Sequence, residues 1–313
     1  MSDLSISAKP GAPTPGIAVP AIDPLSPPDQ PALRVRGYWG NVWHRLRYDY
    51  VTLCFLALIL LIILSAVFAP ELAPFNPDKA SMAHRLKPLL YRDNLLGTDE
   101  QGRDILSRIL YGGRTSLLMG IVPVMVATIV GGLFGVIAGF AGGRIGTIIM
   151  RGMDIFFAFP SVLLAVAISG SLGGGMVNQL ITLSVVLTPP LCRVAETATS
   201  QLRGLDFVDA ARATGASATS ILFHDILVNV TSPVLVYAST LVSGSILLAS
   251  GLSFLGLGVS PPTPDWGLML STLRQAIYVQ PVVCAMPGVA ILITSVAFNL
   301  VSDGLRQAMD VKA

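Results

Sequence analysis

Long stretches without a charged residue constrain this sequence more than any other feature. Five stretches contain no Asp, Glu, Lys or Arg, and they cover residues 50–70, 115–143, 155–192, 226–264 and 275–302. A helix needs about 20 mostly apolar residues to cross the hydrocarbon core of a bilayer. Only 12% of the 313 residues are charged, whereas soluble proteins carry roughly 25%. The sequence therefore predicts an all-α integral membrane protein.

Six transmembrane helices are predicted, because the third stretch is long enough for two. A glycine cluster at residues 170–175 supplies the turn between them. The predicted helices lie at about residues 50–69, 116–140, 148–169, 176–194, 229–251 and 282–301. An even number of crossings places both termini on the same side of the membrane.

The distribution of arginine predicts that this side is the cytoplasm. Basic residues cluster before the first helix, between helices two and three, between helices four and five, and after helix six. Cytoplasmic loops of membrane proteins carry an excess of Lys and Arg. The loop at residues 70–114 conflicts with this rule, because it holds seven basic residues on the predicted outer side. We predict cytoplasmic N and C termini because the other connections agree.

The predicted domain organisation follows these helices. Residues 1–36 hold eight prolines and few large apolar side chains, so they cannot bury enough surface to offset the entropy cost of ordering. We predict a disordered cytoplasmic tail there. Residues 37–112 are expected to hold the first transmembrane helix and an extracytoplasmic loop, residues 113–303 the other five helices, and residues 304–313 a short cytoplasmic tail.

Several classes of function are disfavoured by this sequence. No ionisable side chain lies in the middle of a predicted helix, whereas ion-coupled transporters and channels use buried charges; such a protein remains the alternative. No phosphate-binding loop of the GxxxxGK[ST] type occurs. The three cysteines and three histidines are scattered, and the formal charge is +2, so we expect no cofactor on this chain, no nucleic-acid partner and no enzymatic activity. Transport would then be powered by another protein.

The loop at residues 199–228, between the fourth and fifth helices, breaks the apolar pattern. Residues 201–214 are predicted to form a short helix, on which Asp206, Asp209 and Arg212 follow one another at three-residue steps. Gly215 is expected to end this helix, and Ser217 to cap a second helix over 218–228. Two short helices with small residues suit docking into a cleft on a soluble partner, although a solvated loop explains these residues equally well.

Four segments resemble one family of membrane proteins and occur in the order in which that family has them. Residues 206–217 (DFVDAARATGAS) resemble the EAA loop of permease subunits in binding-protein-dependent ABC importers. Residues 96–108 (LGTDEQGRDILSR) are similar to the GTD-x-x-GRD-x-x-SR segment of the C-type subunits of dipeptide, oligopeptide and nickel permeases. Residues 252–267 and 297–306 resemble two further segments of that family.

The resemblance implies a type I ABC importer permease fold, with residues 113–303 as its transmembrane domain and residues 199–228 as the loop that couples to the ATPase. It also implies partners: ATP-binding subunits, a second and different permease subunit, an extracytoplasmic solute-binding protein and the lipid bilayer. The implied location is the bacterial inner membrane. Peptides are the leading substrate class, with nickel, glutathione, opines and glycosides left open.

Two groups of residues carry the implied roles. The ATPase-coupling candidates are those of the EAA-like segment that contact the partner or form its turn: Asp206, Asp209, Ala210, Ala211, Arg212 and Gly215. The family usually has Glu at the two Asp positions and Tyr at Phe207, so this sequence departs from its pattern there. The second group is the extracytoplasmic motif, which comprises Gly97, Thr98, Asp99, Gly102, Arg103 and Asp104.

The surroundings of the extracytoplasmic motif predict a helix at the membrane surface. Thr98 or Asp99 is expected to cap an amphipathic helix over residues 100–111 that lies along the outer interface. Docking of the binding protein is the alternative role for this segment. Trp266, which follows a proline-rich turn, is expected to be an anchor at the membrane interface.

Overall fold

The structure is a computed structural model that describes residues 38–309, most of which are helical. The disordered tail predicted at residues 1–36 lies outside the described residues, as do the last four residues of the C-terminal tail. The α-helices of the described part are α1 (Tyr38–Leu46), α2 (Tyr50–Val67), α3 (Ala69–Leu72), α4 (Ile105–Ala141), α5 (Gly143–Phe157), α6 (Ser161–Leu172), α7 (Met176–Arg203), α8 (Asp206–Ala213), α9 (Ala218–Ser220), α10 (Leu227–Phe254), α11 (Trp266–Leu273) and α12 (Pro281–Met309).

Five helical stretches in the described residues are long and apolar enough to cross a membrane by themselves. They are α2, α4, α7, the stretch Ala218–Phe254 that ends with α10, and α12. The bent pair of α5 and α6 gives a sixth crossing if it is counted as one span. The chain is therefore an all-α membrane protein with five or six crossings, in agreement with the fold class predicted from the charge-free stretches.

The third predicted helix, at residues 148–169, is wrong as a continuous helix. The chain bends by 85° between α5 and α6. α5 ends at Phe157, and α6 begins directly after Pro160. Proline has no amide hydrogen, and its ring pushes the residue before it, here Phe159, out of the helical region. The absence of charged residues from 155 to 192 gave no sign of this break.

α4 is longer than predicted and includes the helix that was expected along the outer interface. Its 37 residues begin at Ile105, directly after Asp104, whose carboxylate accepts a hydrogen bond of 2.8 Å from the amide three residues later. Asp104 is therefore the N-cap, rather than Thr98 or Asp99. Ile105 is completely buried, so the first turn of α4 lies inside the protein. The prediction of an interfacial helix at residues 100–111 is wrong.

Three glycines at four-residue spacing bring α4 close to α7. Cβ atoms added at Gly131, Gly135 and Gly139 would lie only 2.3–2.7 Å from backbone oxygens of α7. Small residues allow such close approach of helices in lipid, where packing drives association. The two helices therefore form the tightest seam of the bundle.

α10 contacts α4, α7, α11 and α12, and hydroxyl groups link it to α4 and α12. Oγ of Ser245 donates to the carbonyl of Met119 on α4 at 3.1 Å. Oγ of Ser239 donates to Oγ of Ser302 on α12 at 2.9 Å. Hydrogen bonds between helices add to packing in a membrane protein, so α10 holds the bundle together.

The connection between α7 and α10 differs from the prediction in two places. Residues 201–203 end α7 rather than begin the helix predicted at 201–214, because Gly204 interrupts the helix. The helix predicted at residues 218–228 is not separate from the membrane span, since α9, a π-helical turn at Ile221–Ile226 and α10 form one stretch. No Gly or Pro occurs between residues 218 and 232 to end it.

Candidate functional site

α8 is a short helix held to the bundle by one buried side chain. Val208 is completely buried and belongs to the same apolar cluster as Ile221 and Ile226, which lie on the stretch leading into α10. Ala211, one turn later on α8, packs against this cluster. Since α8 also follows α7 after only residues 204–205, a displacement of α8 would act on both α7 and α10. No pattern in the sequence distinguishes Val208 from the other apolar residues of this segment.

The outward face of α8 combines charges with small side chains. Asp206, Asp209, Ala210 and Arg212 are all exposed, as is Phe207. Nη1 of Arg212 lies 2.9 Å from Oδ1 of Asp209. These side chains are 48% and 68% exposed, and a pair of this kind is worth at most about 1 kcal/mol. Both groups are therefore available to a partner at little cost.

Gly215 ends the α8 turn through its backbone conformation. Its φ is +85°, a left-handed value that glycine adopts without strain. The amide of Gly215 donates to the carbonyl of Arg212 at 3.0 Å, and the amide of Ala216 donates to that of Ala211 at 3.1 Å, the hydrogen bonds of a Schellman cap. Apart from its chain neighbours, no described residue has an atom within 4 Å of a Cβ added at Gly215, so backbone conformation rather than space favours glycine.

A second helix boundary follows the Gly215 turn directly. The side chain of Ser217 accepts a hydrogen bond of 3.2 Å from the amide of Ser220, so Ser217 caps the stretch that leads into α10. Both signals expected at residues 215 and 217 are therefore present. They fix the direction in which the chain leaves α8 and enters the membrane span.

Two arginines in the second half of α7, Arg193 and Arg203, make contacts with other helices that were not predicted from the sequence. Arg193 of α7 forms an ion pair with Asp154 of α5, and its guanidinium carbon lies 4.5 Å from the centre of the Phe157 ring. Arg203 donates to the carbonyl of Phe140 at 3.2 Å. These contacts tie the bent α5–α6 segment and the end of α4 to α7. The two members of the ion pair are 39 residues apart, and no local pattern connects them.

The residues of the extracytoplasmic motif lie at the opposite end of α4 from α8. Gly139, near the end of α4, faces Glu196 and Thr199 of α7, whereas Gly112 near its beginning faces Trp266. The structure brings all six motif residues together and buries every one of them: Gly97, Thr98, Asp99, Gly102, Arg103 and Asp104. They form the interior of a turn rather than an exposed surface.

Asp99 is the centre of this buried turn. Its Oδ1 accepts hydrogen bonds from the amides of Gln101 at 2.8 Å and Arg103 at 2.9 Å, and its Oδ2 accepts one from Nε of Arg103 at 2.6 Å. Nε of Arg108 lies 3.8 Å from the same Oδ2. The Arg103 and Arg108 side chains are only 7% and 4% exposed. Buried charges are tolerated when they are paired and hydrogen-bonded in this way.

Thr98, Asp104 and Gly102 fix the chain on either side of Asp99. Oγ1 of Thr98 accepts a hydrogen bond of 2.9 Å from the amide of Lys87. Oδ1 of Asp104 accepts one of 2.9 Å from the side-chain amide of Asn94. Gly102 has a φ of +72°, and a Cβ there would lie 1.9 Å from the carbonyl oxygen of Ser81. Only glycine fits at this position.

Trp266 belongs to the interior beside this turn, so its prediction as an interfacial anchor is wrong. It is only 3% exposed, and its Nε1 donates to the carbonyl of Ile109 on α4 at 2.9 Å. The neighbouring Asp265 accepts a hydrogen bond of 2.8 Å from the hydroxyl of Ser116 and caps α11 through the amide of Leu268 at 3.0 Å. Burial raises the pKa of Asp265 above its ordinary value. The hydrogen bonds of Trp266 and Asp265 hold the residues before α11 against α4.

Neither group of residues has the composition of a reactive centre. Within residues 38–309, no group of three or more His, Cys, Asp or Glu side chains lies close enough to hold a metal ion. The polar atoms of the extracytoplasmic turn are hydrogen-bonded within the protein, whereas the charged groups of α8 are exposed. The geometry supports a rigid turn at one end of the bundle and a contact surface for another protein at the α8 end.

Most of the chain matches one known family of membrane proteins. Residues 131–312 match the family described as the binding-protein-dependent transport system inner membrane component. Residues 37–88 match the N-terminal TM domain of oligopeptide transport permease C. Together these two segments include the first and the last helix of the described residues.

Similar proteins align over nearly their full length. The di/tripeptide transport system permease protein of Pseudomonas aeruginosa is 40% identical over 292 residues, which cover 92% of this chain and 96% of that protein. The glutathione transport system permease protein of Pectobacterium atrosepticum is 39% identical over 278 residues, covering 89% and 92%. The dipeptide transport system permease protein of Alkalihalophilus pseudofirmus is 38% identical over 290 residues, covering 93% and 95%.

Proposed function

Because the chain belongs to the family of binding-protein-dependent transport system inner membrane components, we propose that it forms one half of a translocation pathway for short peptides. It is a permease subunit of an ATP-driven ABC importer and a multi-pass protein of the bacterial inner membrane. Importers of this family work with ATP-binding subunits and a solute-binding protein. The other half of the pathway would be a second, different permease subunit.

Short peptides are the substrate class that the similar proteins favour. Their names assign them dipeptides, tripeptides and glutathione, and glutathione is itself a small peptide. The ion-coupled transporter or channel considered from the sequence has no support in these relatives. In this proposal the binding protein selects the solute, and this chain supplies a passage that is opened and closed from the cytoplasm.

The exposed face of α8 is the proposed contact with the ATP-binding subunits. It combines the charges of Asp206, Asp209 and Arg212 with the small Ala210, which permits close approach. The buried Val208 and the half-buried Ala211 would transmit a push to α10. This assignment places α8 and both chain termini on the cytoplasmic side. The observation that carries it is one helix with an outward charged face and an inward apolar anchor.

A charge reversal on α8 tests the proposed contact. We expect Asp209→Lys to weaken co-purification of the ATP-binding subunits about tenfold or more and to stop peptide uptake, because like charges brought together at an interface cost several kcal/mol. Asp93→Lys is the matched control, since Asp93 is exposed at the opposite end of the bundle. Normal assembly and uptake by the Asp209→Lys protein would show that α8 does not contact the ATP-binding subunits.

A further inference from the structure

A cavity of about 510 Å³ lies between α7, α10 and α12, at the end of the bundle that carries α8. Its walls come from Val194 of α7, from residues 232–240 of α10 and from the last turn of α12. None of its lining residues belongs to the α8 face or to the extracytoplasmic turn. The cavity is therefore separate from both sites described above.

Three hydrogen-bonding side chains line this cavity and make no side-chain hydrogen bond or ion pair within residues 38–309: Ser232, Tyr237 and Arg306. Arg306 is exposed, whereas Ser232 and Tyr237 are half-buried. Thr240 also lines the cavity, but its hydroxyl is already 2.5 Å from Oγ of Ser302. Asp303, one turn before Arg306 on α12, is exposed and forms no ion pair with it in the part of the chain that the structure describes. An arginine side chain is always charged in a protein. The cavity thus presents one cation and two hydroxyl groups that have no side-chain partner within the described part of the chain.

The rest of the lining is apolar, which gives the cavity an amphipathic character. Val194, Pro233, Val236 and Met309 form these walls. A phosphate group would satisfy the arginine and the hydroxyl groups, since charge-assisted hydrogen bonds to oxyanions are the stronger kind. Hydrocarbon attached to that phosphate would lie against the apolar walls. A phospholipid combines both features in one molecule.

We propose that this cavity binds the headgroup of an anionic phospholipid from the membrane leaflet at the α8 end. Arg306 is the main contact to the phosphate, and Tyr237 and Ser232 are further donors. Basic pockets between transmembrane helices recognise acidic lipid headgroups by this chemistry. Because α7, α10 and α12 all contribute walls, a bound lipid would link the three helices.

A transported peptide fits the cavity less well than a lipid. Its carboxylate could reach Arg306, but its ammonium group would need an acceptor of negative charge. No acidic side chain lines the cavity within the described residues. An ion of net negative charge is therefore the better complement to this lining.

Lipid binding by the assembled importer tests the proposal without ATP or transported solute, so its outcome is independent of the coupling mechanism. The complex is placed in phosphatidylcholine nanodiscs that contain a small fraction of phosphatidylglycerol, and the affinity for phosphatidylglycerol is measured by native mass spectrometry. We expect Arg306→Gln to weaken binding on the order of tenfold and Tyr237→Phe about fivefold. Arg144→Gln is the control, because Arg144 is exposed on α5 at the same end of the bundle.

The outcomes separate a lipid from a soluble anion. Selective loss of phosphatidylglycerol in the Arg306→Gln complex, with normal binding by the Arg144→Gln complex, supports the proposal. Equal binding by both variants overturns it. Displacement of the lipid by millimolar inorganic phosphate or dipeptide also overturns it, since the site would then serve a soluble anion. If the Arg306→Gln complex does not assemble, Tyr237→Phe decides, because it removes only a hydroxyl group.

Discussion

Val208 gives the sharpest test of how α8 is held to the bundle. Val208→Ala removes two methyl groups from a side chain that is completely buried. At about 0.8 kcal/mol for each buried group of this size, the change costs about 1.6 kcal/mol and lowers the equilibrium constant for docking of α8 about 15-fold. α8 has only eight residues, and helices this short are unstable without tertiary contacts. No other side chain of α8 is buried.

Hydrogen exchange and coupled transport measure this effect directly. In proteoliposomes that contain the complete importer, we expect the α8 amides of Val208→Ala to exchange about 15-fold faster. We also expect fewer peptides to be imported for each ATP hydrolysed, because a loosened α8 transmits less of the ATPase movement to α10. Val228→Ala is the matched control, since Val228 is 63% exposed on α10. The same exchange rate and the same transport ratio in both variants would refute the anchoring role of Val208.

Three further predictions concern other parts of the chain. Asp99→Asn should lower the free energy of unfolding by about 3–5 kcal/mol, because it removes the carboxylate that pairs with the buried Arg103. Asp78→Asn, at the half-exposed partner of Arg108, should cost at most about 1 kcal/mol. Equal melting temperatures of the two purified complexes would contradict this. Gly215→Val should reduce peptide uptake without changing the amount of the protein in the membrane, since a left-handed conformation costs valine about 1–2 kcal/mol. Gly215→Asn should restore uptake, because asparagine tolerates this conformation. Normal uptake by the Gly215→Val protein would show that the turn is not needed for transport. Trp266→Phe should lower stability by about 1 kcal/mol through loss of the hydrogen bond from the indole to the carbonyl of Ile109, and an unchanged melting temperature would argue against a stabilising role of that bond.

Five of the six membrane-spanning helices could be predicted because lipid leaves a simple signal in the sequence, whereas the third predicted helix is a bent pair. Charged residues are costly in hydrocarbon, so their absence marks the spans. The same signal misplaced the start of α4, because counting charges ended the span at Arg114. In the structure Nε of Arg114 donates to the carbonyl of Ala66 at 2.6 Å, and its Nη2 bonds the next carbonyl at the end of α2. A cation satisfied by helix-terminal carbonyls does not end a helix.

The candidate sites were predictable to different depths. The caps at Gly215 and Ser217 depend on residues within one turn, so their chemistry was visible in the sequence. The burial of Asp99 and Gly102 was not, because it depends on contacts with distant segments such as the carbonyl of Ser81. Val208 looked like any apolar residue of a short helix, and only the packing against the start of α10 shows what it holds.

The central claim is that this chain forms part of the transport pathway and that ATP hydrolysis by other subunits drives transport. Uptake of labelled dipeptide into proteoliposomes tests this claim most directly. We predict accumulation only when the binding protein, the second permease subunit and hydrolysis-competent ATP-binding subunits are all present. Replacing the ATP-binding subunits by a version that binds but cannot hydrolyse ATP should reduce accumulation to the background of empty liposomes. Uphill accumulation, or ATP hydrolysis, by this chain without those subunits would contradict the claim.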